Sequence, residues 1–324
     1  MTAAYPGMNL RRWLAVAGVA MAYCIIILGG WIRTTNSGLS CPDWPTCYGQ
    51  WVLTPSEFAA LGDVGYTYFQ MMLEWSHRFI AGMMLGPLIM FLTFLAWRSR
   101  KQDPTGFKLA IGILVVLFLQ AKLGGVTVLD ANSPWSVAVH LTNAMILSGL
   151  MILYAVRLSQ KPPIEAPALF TYLALGTVLL VMGTMATAAV TSKMGAALAC
   201  HTWPLCDGES LYPSTEGDPG LAVHLMHRTL AAATGIAVLL LFLMSWKIGI
   251  KRLRVISLIA LIMVVAQICL GAGVIVWQVP VPVAVAHQAL GVLLFLKVAT
   301  LLCLARQGFR RTASDEKDFA HASL

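Results

Sequence analysis

Long apolar runs separated by polar connections dominate this chain. Eight stretches, roughly 11–32, 74–97, 107–129, 137–156, 168–190, 222–246, 254–277 and 284–305, suffice for a bilayer-crossing helix, which needs about 20 residues. Composition agrees: 58% of residues are hydrophobic and only 11% charged, against about 25% charged in soluble domains. The expected fold is therefore an all-α integral membrane protein with eight transmembrane helices. The first run differs from a secretory signal in its longer apolar core and in lacking a small-residue cleavage site, so it reads as a retained helix.

Charge orients these spans. Basic residues gather in alternate connections: Arg11 and Arg12, then Arg98, Arg100, Lys101 and Lys108, then Arg157 and Lys161, then Lys247, Lys251, Arg252 and Arg254, and finally Arg306, Arg310, Arg311 and Lys317. The other connections hold Asp43, Glu57, Asp63, Asp130, Asp207, Glu209, Glu216 and Asp218. The positive-inside rule then places both termini in the cytoplasm, which an even number of spans permits. The net charge of +8 is thereby a topology signal. The expected partner is the lipid bilayer, with no nucleic acid.

The chain also repeats itself. Glu74-Trp75-Ser76-His77-Arg78 returns as His224-Leu225-Met226-His227-Arg228, and His140 returns as His287. A C-x-x-W-P-x-C loop, Cys41 to Cys47, returns as Cys200 to Cys206. The repeat divides the chain into 1–160 and 161–324, joined by the proline-rich segment 161–167, where proline stops helix continuation. Each half has four spans and begins on the same side, so the repeat is parallel, with a pseudo-two-fold axis along the membrane normal. Two tandem pseudo-symmetric four-helix bundles follow, an architecture that builds cofactor sites between facing helices. The long outer connections, about 33–73 and 191–221, are expected to be lids over the outer ends, and the tail from Gln307 to be disordered.

The cysteine loops fall on the outer side, where disulfides persist. Cys41–Cys47 and Cys200–Cys206 are expected to be structural or redox-responsive pairs, since two cysteines alone make a poor metal site. Cys24, Cys269 and Cys303 lie within helices and read as small buried hydrophobes.

His77, His140, His227 and His287 sit near the outer ends of even-numbered spans, two per half. Ionisable groups inside spans are expensive and mark function. One such histidine alone is as readily a partner for a carbonyl; four at matched depth point to metal. The lack of further Asp, Glu or Cys ligands disfavours zinc, and a proton relay needs carboxylates along a path, of which the inner halves of the spans have almost none. Two opposed imidazoles can ligate a haem iron from both faces. Arg78 and Arg228 directly follow two of these histidines. Each suits a haem propionate, since guanidinium binds carboxylates bidentately, or else it reaches to lipid headgroups. Glu74 lies one turn before His77 on the same face, while its counterpart is His224. That residue competes with His227 as a ligand, and Glu74 itself also suits a helix cap. Gln120-Ala121-Lys122-Leu123-Gly124-Gly125 recurs as Gln267 to Ala272. Those glycines suit close approach of a helix or a flat cofactor, and the glutamines suit a bond to a neighbouring helix.

Together these features resemble the haem A synthase family of the bacterial type, with cysteine pairs in both long outer loops. The resemblance spans nearly the whole chain, and its most specific segment is E-x-x-H-R at Glu74 to Arg78. It implies a membrane oxidoreductase of the bacterial cell (inner) membrane that oxidises the C8 methyl of haem O to a formyl group, through hydroxylated intermediates, giving haem A for terminal oxidases. It implies haem b as cofactor in the C-terminal half on His227 and His287. The substrate haem O would lie in the N-terminal half on His77 and His140, with Glu74 as catalytic acid/base. Haem O synthase, oxidase assembly factors and a second copy of the chain are the partners it implies. Two other classes stay open on the residues alone. One is a dihaem electron-transfer protein, which usually places haems near both faces. The other is a non-catalytic haem carrier or transporter, which leaves Glu74 unexplained.

Overall fold

The computed structural model describes residues 7–159 and 164–322, with side chains described as far as residue 306. The first part of the expected linker thus lies outside the described residues. Ten α-helices run in the order α1 (Met8–Thr34), α2 (Pro55–Ala60), α3 (Tyr68–Phe79), α4 (Gly86–Arg98), α5 (Pro104–Leu129), α6 (Pro134–Arg157), α7 (Ala168–Lys193), α8 (Pro219–Ile248), α9 (Lys251–Val276) and α10 (Val281–Ala322). A π-helical turn, Ile80–Leu85, joins α3 to α4 as one span, Tyr68–Arg98. Among the described residues eight helices are long and apolar enough to cross a membrane, as the hydrophobic runs foretold. No strand occurs among them, only an isolated bridge between Cys47 and Gln50. The tail expected to be disordered from Gln307 instead continues α10 to Ala322; no proline interrupts that stretch.

Local sequence explains most helix starts. Asp103-Pro104, Ser133-Pro134 and Asp218-Pro219 each put a capping side chain before a proline whose missing N–H costs nothing in the first turn. Thr67 and Gln70 form a capping box, so α3 starts at Tyr68, six residues before the expected 74. The π turn precedes Pro87, whose lack of an amide N–H loosens the α-helical ladder. The Gly86 N–H bonds to Ala81 O, five residues back.

Helix contacts close two rings. In the first, α1 packs on α4, α4 on α5, α5 on α6, and α6 on α1; in the second, α7 packs on α8, α8 on α9, α9 on α10, and α10 on α7. In each ring, therefore, the second and fourth spans face one another across a diagonal. The rings join where α6 and α1 meet α7 and α10. Their cores merge there: Ile26, Met145 and Ile152 of the first half bury with Val181, Leu241 and Val298 of the second. Outward-facing Phe91, Phe94, Phe118, Ile236, Ile262 and Val265 are exposed, as a bilayer-facing surface requires. Cys24 and Cys269 are exposed too and only Cys303 is buried. The expectation of three buried thiols is corrected for two of them, because an apolar thiol suits lipid as well as a protein core.

At the end away from the histidines, Asp103 ties three helices of the first half. It accepts from Arg157 at 2.5 Å and 3.0 Å and from Arg11 at 3.2 Å. Burial pushes the Asp103 carboxyl up, but the hydrogen bonds from Arg157 and the Gly106 N–H and the charges of both arginines outweigh it and hold it below its ordinary value. At the corresponding end of the second half, Ser245 bonds Ser257 at 2.6 Å and Arg254 donates to the Trp246 carbonyl at 3.0 Å.

Candidate functional site

Each long outer connection is pinned to the span that follows it. Both cysteine pairs are bonded, Cys41 to Cys47 and Cys200 to Cys206. In the first loop, Asp43 accepts from the Tyr48 N–H at 2.5 Å, the Gly49 N–H at 3.0 Å and the Thr46 hydroxyl. Burial alone would raise the Asp43 carboxyl; these bonds hold it below the usual aspartate value. Trp44 lies against α5, where a Cβ on Gly125 would come within 3.2 Å of the indole. Loop docking thus explains Gly125, whose counterpart in the second half is Ala272.

Arg78 and Arg228 do the same work in the two halves. Arg78 donates to the carbonyls of Asp43, Thr46 and Cys41 at 2.5, 2.6 and 3.0 Å, and pairs with Glu74 at 2.6 Å. Arg228 donates to the carbonyls of Pro204 and Thr202 at 3.1 and 2.9 Å. Both guanidiniums therefore clasp the disulfide loops. Neither the headgroup nor the propionate reading had anticipated this use.

Glu74 is 5% exposed. Its Oε2 accepts from the Cys41 N–H and the Ser40 hydroxyl, each at 3.0 Å, and its Oε1 faces Arg78. Its counterpart His224, also 5% exposed, turns Nδ1 to Ala196 O at 3.0 Å and to the Cys200 N–H at 3.4 Å. One nitrogen cannot donate to the first and accept from the second at once, so the tautomer decides which bond forms. Either way, the His224 ring faces the loop.

The four candidate ligand histidines, His77, His140, His227 and His287, face inward across the ring diagonals. His77 and His140 are electrostatic neighbours, and so are His227 and His287. Three of these rings rest on glycine. A Cβ on Gly29 would lie 3.2 Å from His77 Cε1, one on Gly124 3.3 Å from His140 Cε1, and one on Gly271 3.1 Å from His287 Cε1. The repeated Gly124/Gly271 pair thus makes room for an imidazole edge. His227 instead donates from Nδ1 to Thr184 O at 3.0 Å. That bond fixes the tautomer that leaves Nε2 as a lone-pair donor, the usual orientation of a metal-ligating histidine.

The glutamines complete the walls. Gln120 Nε2 lies 3.2 Å from both ring nitrogens of His140 and its Oε1 accepts from Asn143 at 2.7 Å. Gln267 donates to the His287 carbonyl at 2.9 Å. Each bonds the neighbouring helix at its histidine. Nδ1 of His77 and of His287 is buried without a hydrogen-bond partner. Among the described residues no group of three His, Cys, Asp or Glu could hold a metal ion. Paired imidazoles on diagonal helices, with no third protein ligand, fit a haem iron ligated from two sides and do not fit a zinc site.

Sequence reasoning had passed over Thr184, Asn143, Gly29, Ser40 and the Arg33–Gln288 contact. Only Gly29-Gly30 carries a local signal, a paired glycine inside a span.

Comparison with known proteins gives a consistent result. A family model described as "Cytochrome oxidase assembly protein" (COX15-CtaA) matches residues 11–299. The chain is 27% identical to "Heme A synthase" of Shewanella oneidensis over 320 residues, covering 89% of this chain and 94% of that protein. It is 28% identical to "Heme A synthase" of Geobacillus kaustophilus, covering 91% of each. It is also 28% identical to "Heme A synthase" of Rhodopseudomonas palustris, covering 87% of this chain and 86% of that protein.

Proposed function

Because the chain belongs to the COX15-CtaA family of cytochrome oxidase assembly proteins, we propose that it is a haem A synthase, a multi-pass cell-membrane oxidoreductase that converts the C8 methyl of haem O to a formyl group through hydroxylated intermediates. The observation that carries this reading beyond the family is the pair of diagonal histidine sets, one per ring, of which only the first has a carboxylate one turn away. A protein that merely stored two haems would have no use for that difference.

In this reading the first half, 1–160, takes the substrate on His77 and His140, and the second, 161–324, keeps haem b on His227 and His287. Haem b, when bound, supplies one-electron redox chemistry. The chain's own groups do the rest. Gly29, Gly124 and Gly271 seat the imidazoles, and the Thr184 carbonyl orients His227. Glu74, one turn from His77, keeps its oxygens on Cys41, Ser40 and Arg78; from there its fixed negative charge would stabilise charge that builds on the macrocycle as the ring methyl is oxidised, and on release from Arg78 it would accept protons. Ser40 and the Cys41 N–H hold that carboxylate in place. Arg78 and Arg228 put a cation at the outer edge of each site, and each can exchange a loop carbonyl for a propionate oxygen, a stronger acceptor. His224, turned to the loop, is left out of the ligand set. The basic connections place both termini in the cytoplasm, with haem O synthase and oxidase assembly factors as delivery and receiving partners.

The test is co-expression with a haem O synthase, followed by extraction and chromatography of the haems. Haem A is expected. Unchanged haem O would make the protein a carrier.

A further inference from the structure

The two rings share one polar contact at the outer end of their interface. Arg33, in the last turn of α1, donates from Nη2 to Gln288 Oε1 on α10 at 2.8 Å. The Gln288 amide nitrogen donates back to Ile26 O at 2.9 Å. The amide lies flat on α1 because residue 30 is glycine; a Cβ there would meet Gln288 Nε2 at 2.5 Å. Gln288 directly follows His287. A cation from the first half is therefore fixed one residue from a proposed iron ligand of the second.

Arg33 has a second neighbour of its own sign. Lys193 stands at the same outer end, in the last turn of α7, which packs against α10 as α1 does. The ion pairs among the described residues join Arg11 and Arg157 to Asp103 and Arg78 to Glu74, so neither Arg33 nor Lys193 has a carboxylate. Two half-buried cations at the outer end of the interface between the halves favour an anion there. The repeat shows that this charge is not a packing requirement. Aligning Gly29 with Gly183 and His140 with His287 puts Thr187 at the place of Arg33 and Leu141 at the place of Gln288. The pseudo-equivalent corner is uncharged.

We propose that Arg33 and Lys193 bind a carboxylate of the haem held by His227 and His287, so that the first half anchors the second half's cofactor. The inference rests on the haem-binding reading of that histidine pair. It deepens that reading by naming the group that distinguishes a retained haem from one that must leave after oxidation.

The test uses full-length protein, purified haem-free and placed in nanodiscs of zwitterionic lipid, titrated with haem b and with its dimethyl ester. Binding is read from the low-spin visible spectrum. The intact protein is expected to favour the free acid by roughly tenfold to a hundredfold, the worth of a charge-assisted hydrogen bond. Arg33→Leu should bind the ester as the intact protein does, which also shows that it folds, but lose the preference for the acid. Arg33→Lys should keep most of it. Lys193→Gln, a gentler change, should lose part of it. An unchanged preference in both Arg33→Leu and Lys193→Gln overturns the proposal. So does a result in which Arg33→Leu alters only the response to added anionic lipid, since the corner would then be a headgroup site. If neither haem nor ester gives a low-spin spectrum in the intact protein, the histidine assignment has failed instead.

Discussion

Glu74 and His224 occupy one position of the repeat and do one structural job. Each bonds the backbone of its own loop, Glu74 at the Cys41 N–H and His224 at the Ala196 carbonyl or, in the other tautomer, the Cys200 N–H. The clasp therefore accepts a carboxylate or an imidazole. This separates two explanations that coincide when either half is viewed alone. Holding the loop accounts for a polar residue at this position, but it does not account for a carboxylate in the first half only. The halves differ nearby in a second way. Gly86 lies eight positions after Arg78, and Gly235 seven positions after Arg228. The extra residue is taken up by the π turn Ile80–Leu85, whereas α8 runs through without one. Single π turns are frequent at functional sites, and this one begins three residues after His77.

The largest effect expected from the comparison is all-or-none. His287→Ala should abolish the low-spin haem b spectrum of the purified protein, while His77→Ala should leave it intact. Equal losses in both would erase the division of labour. Next comes the ionic lock at Asp103, the one ion-pair cluster at this end among the described residues. Asp103→Asn removes the buried carboxylate shared by buried Arg11 and half-buried Arg157 and should cost about 3 kcal/mol in a thermal or denaturant melt of the solubilised protein. Ser245→Ala in the second half should cost about 1 kcal/mol. The Asp103 contribution has a definite sign with pH. Its folded value is depressed, so the stabilisation is complete above the unfolded value of about 3.9. It is lost only as pH falls further, through the folded value. The melt should therefore show no Asp103-dependent change between pH 7 and 5. Smaller again is removal of a disulfide. Closing a loop this short is worth about 2 kcal/mol, so Cys41→Ser and Cys200→Ser should lose similar stability. They should differ in product, because the Cys41 N–H positions Glu74: haem A yield should fall further in Cys41→Ser.

The spans were legible because bilayer crossing leaves a compositional signature that little else imitates. The four histidines proposed as ligands stand out because duplication repeats them against an apolar background. The start of the second span was hidden in hydropathy, since Thr67, Tyr68 and Gln70 are not apolar, although Thr67 and Gln70 carry a capping box. The clasp by Arg78 and Arg228 was not legible, because a guanidinium that binds carbonyls reads the same in sequence as one that binds a propionate. Arg33 and Gln288 are 255 residues apart, and no local pattern links them; only the packing of α1 against α10 brings them together. The repeat did narrow the choice between His224 and His227, and the ring orientations agree with His227.

The claim that one half holds a haem while the other transforms one is tested most directly by Glu74→Gln, purified from cells that also make haem O and analysed for its extracted haems. The account predicts haem b retained as in the unmodified protein, with haem O or its alcohol in place of haem A. Haem A at the unmodified level would contradict it and would leave Glu74 only the clasping role that His224 performs in the other half.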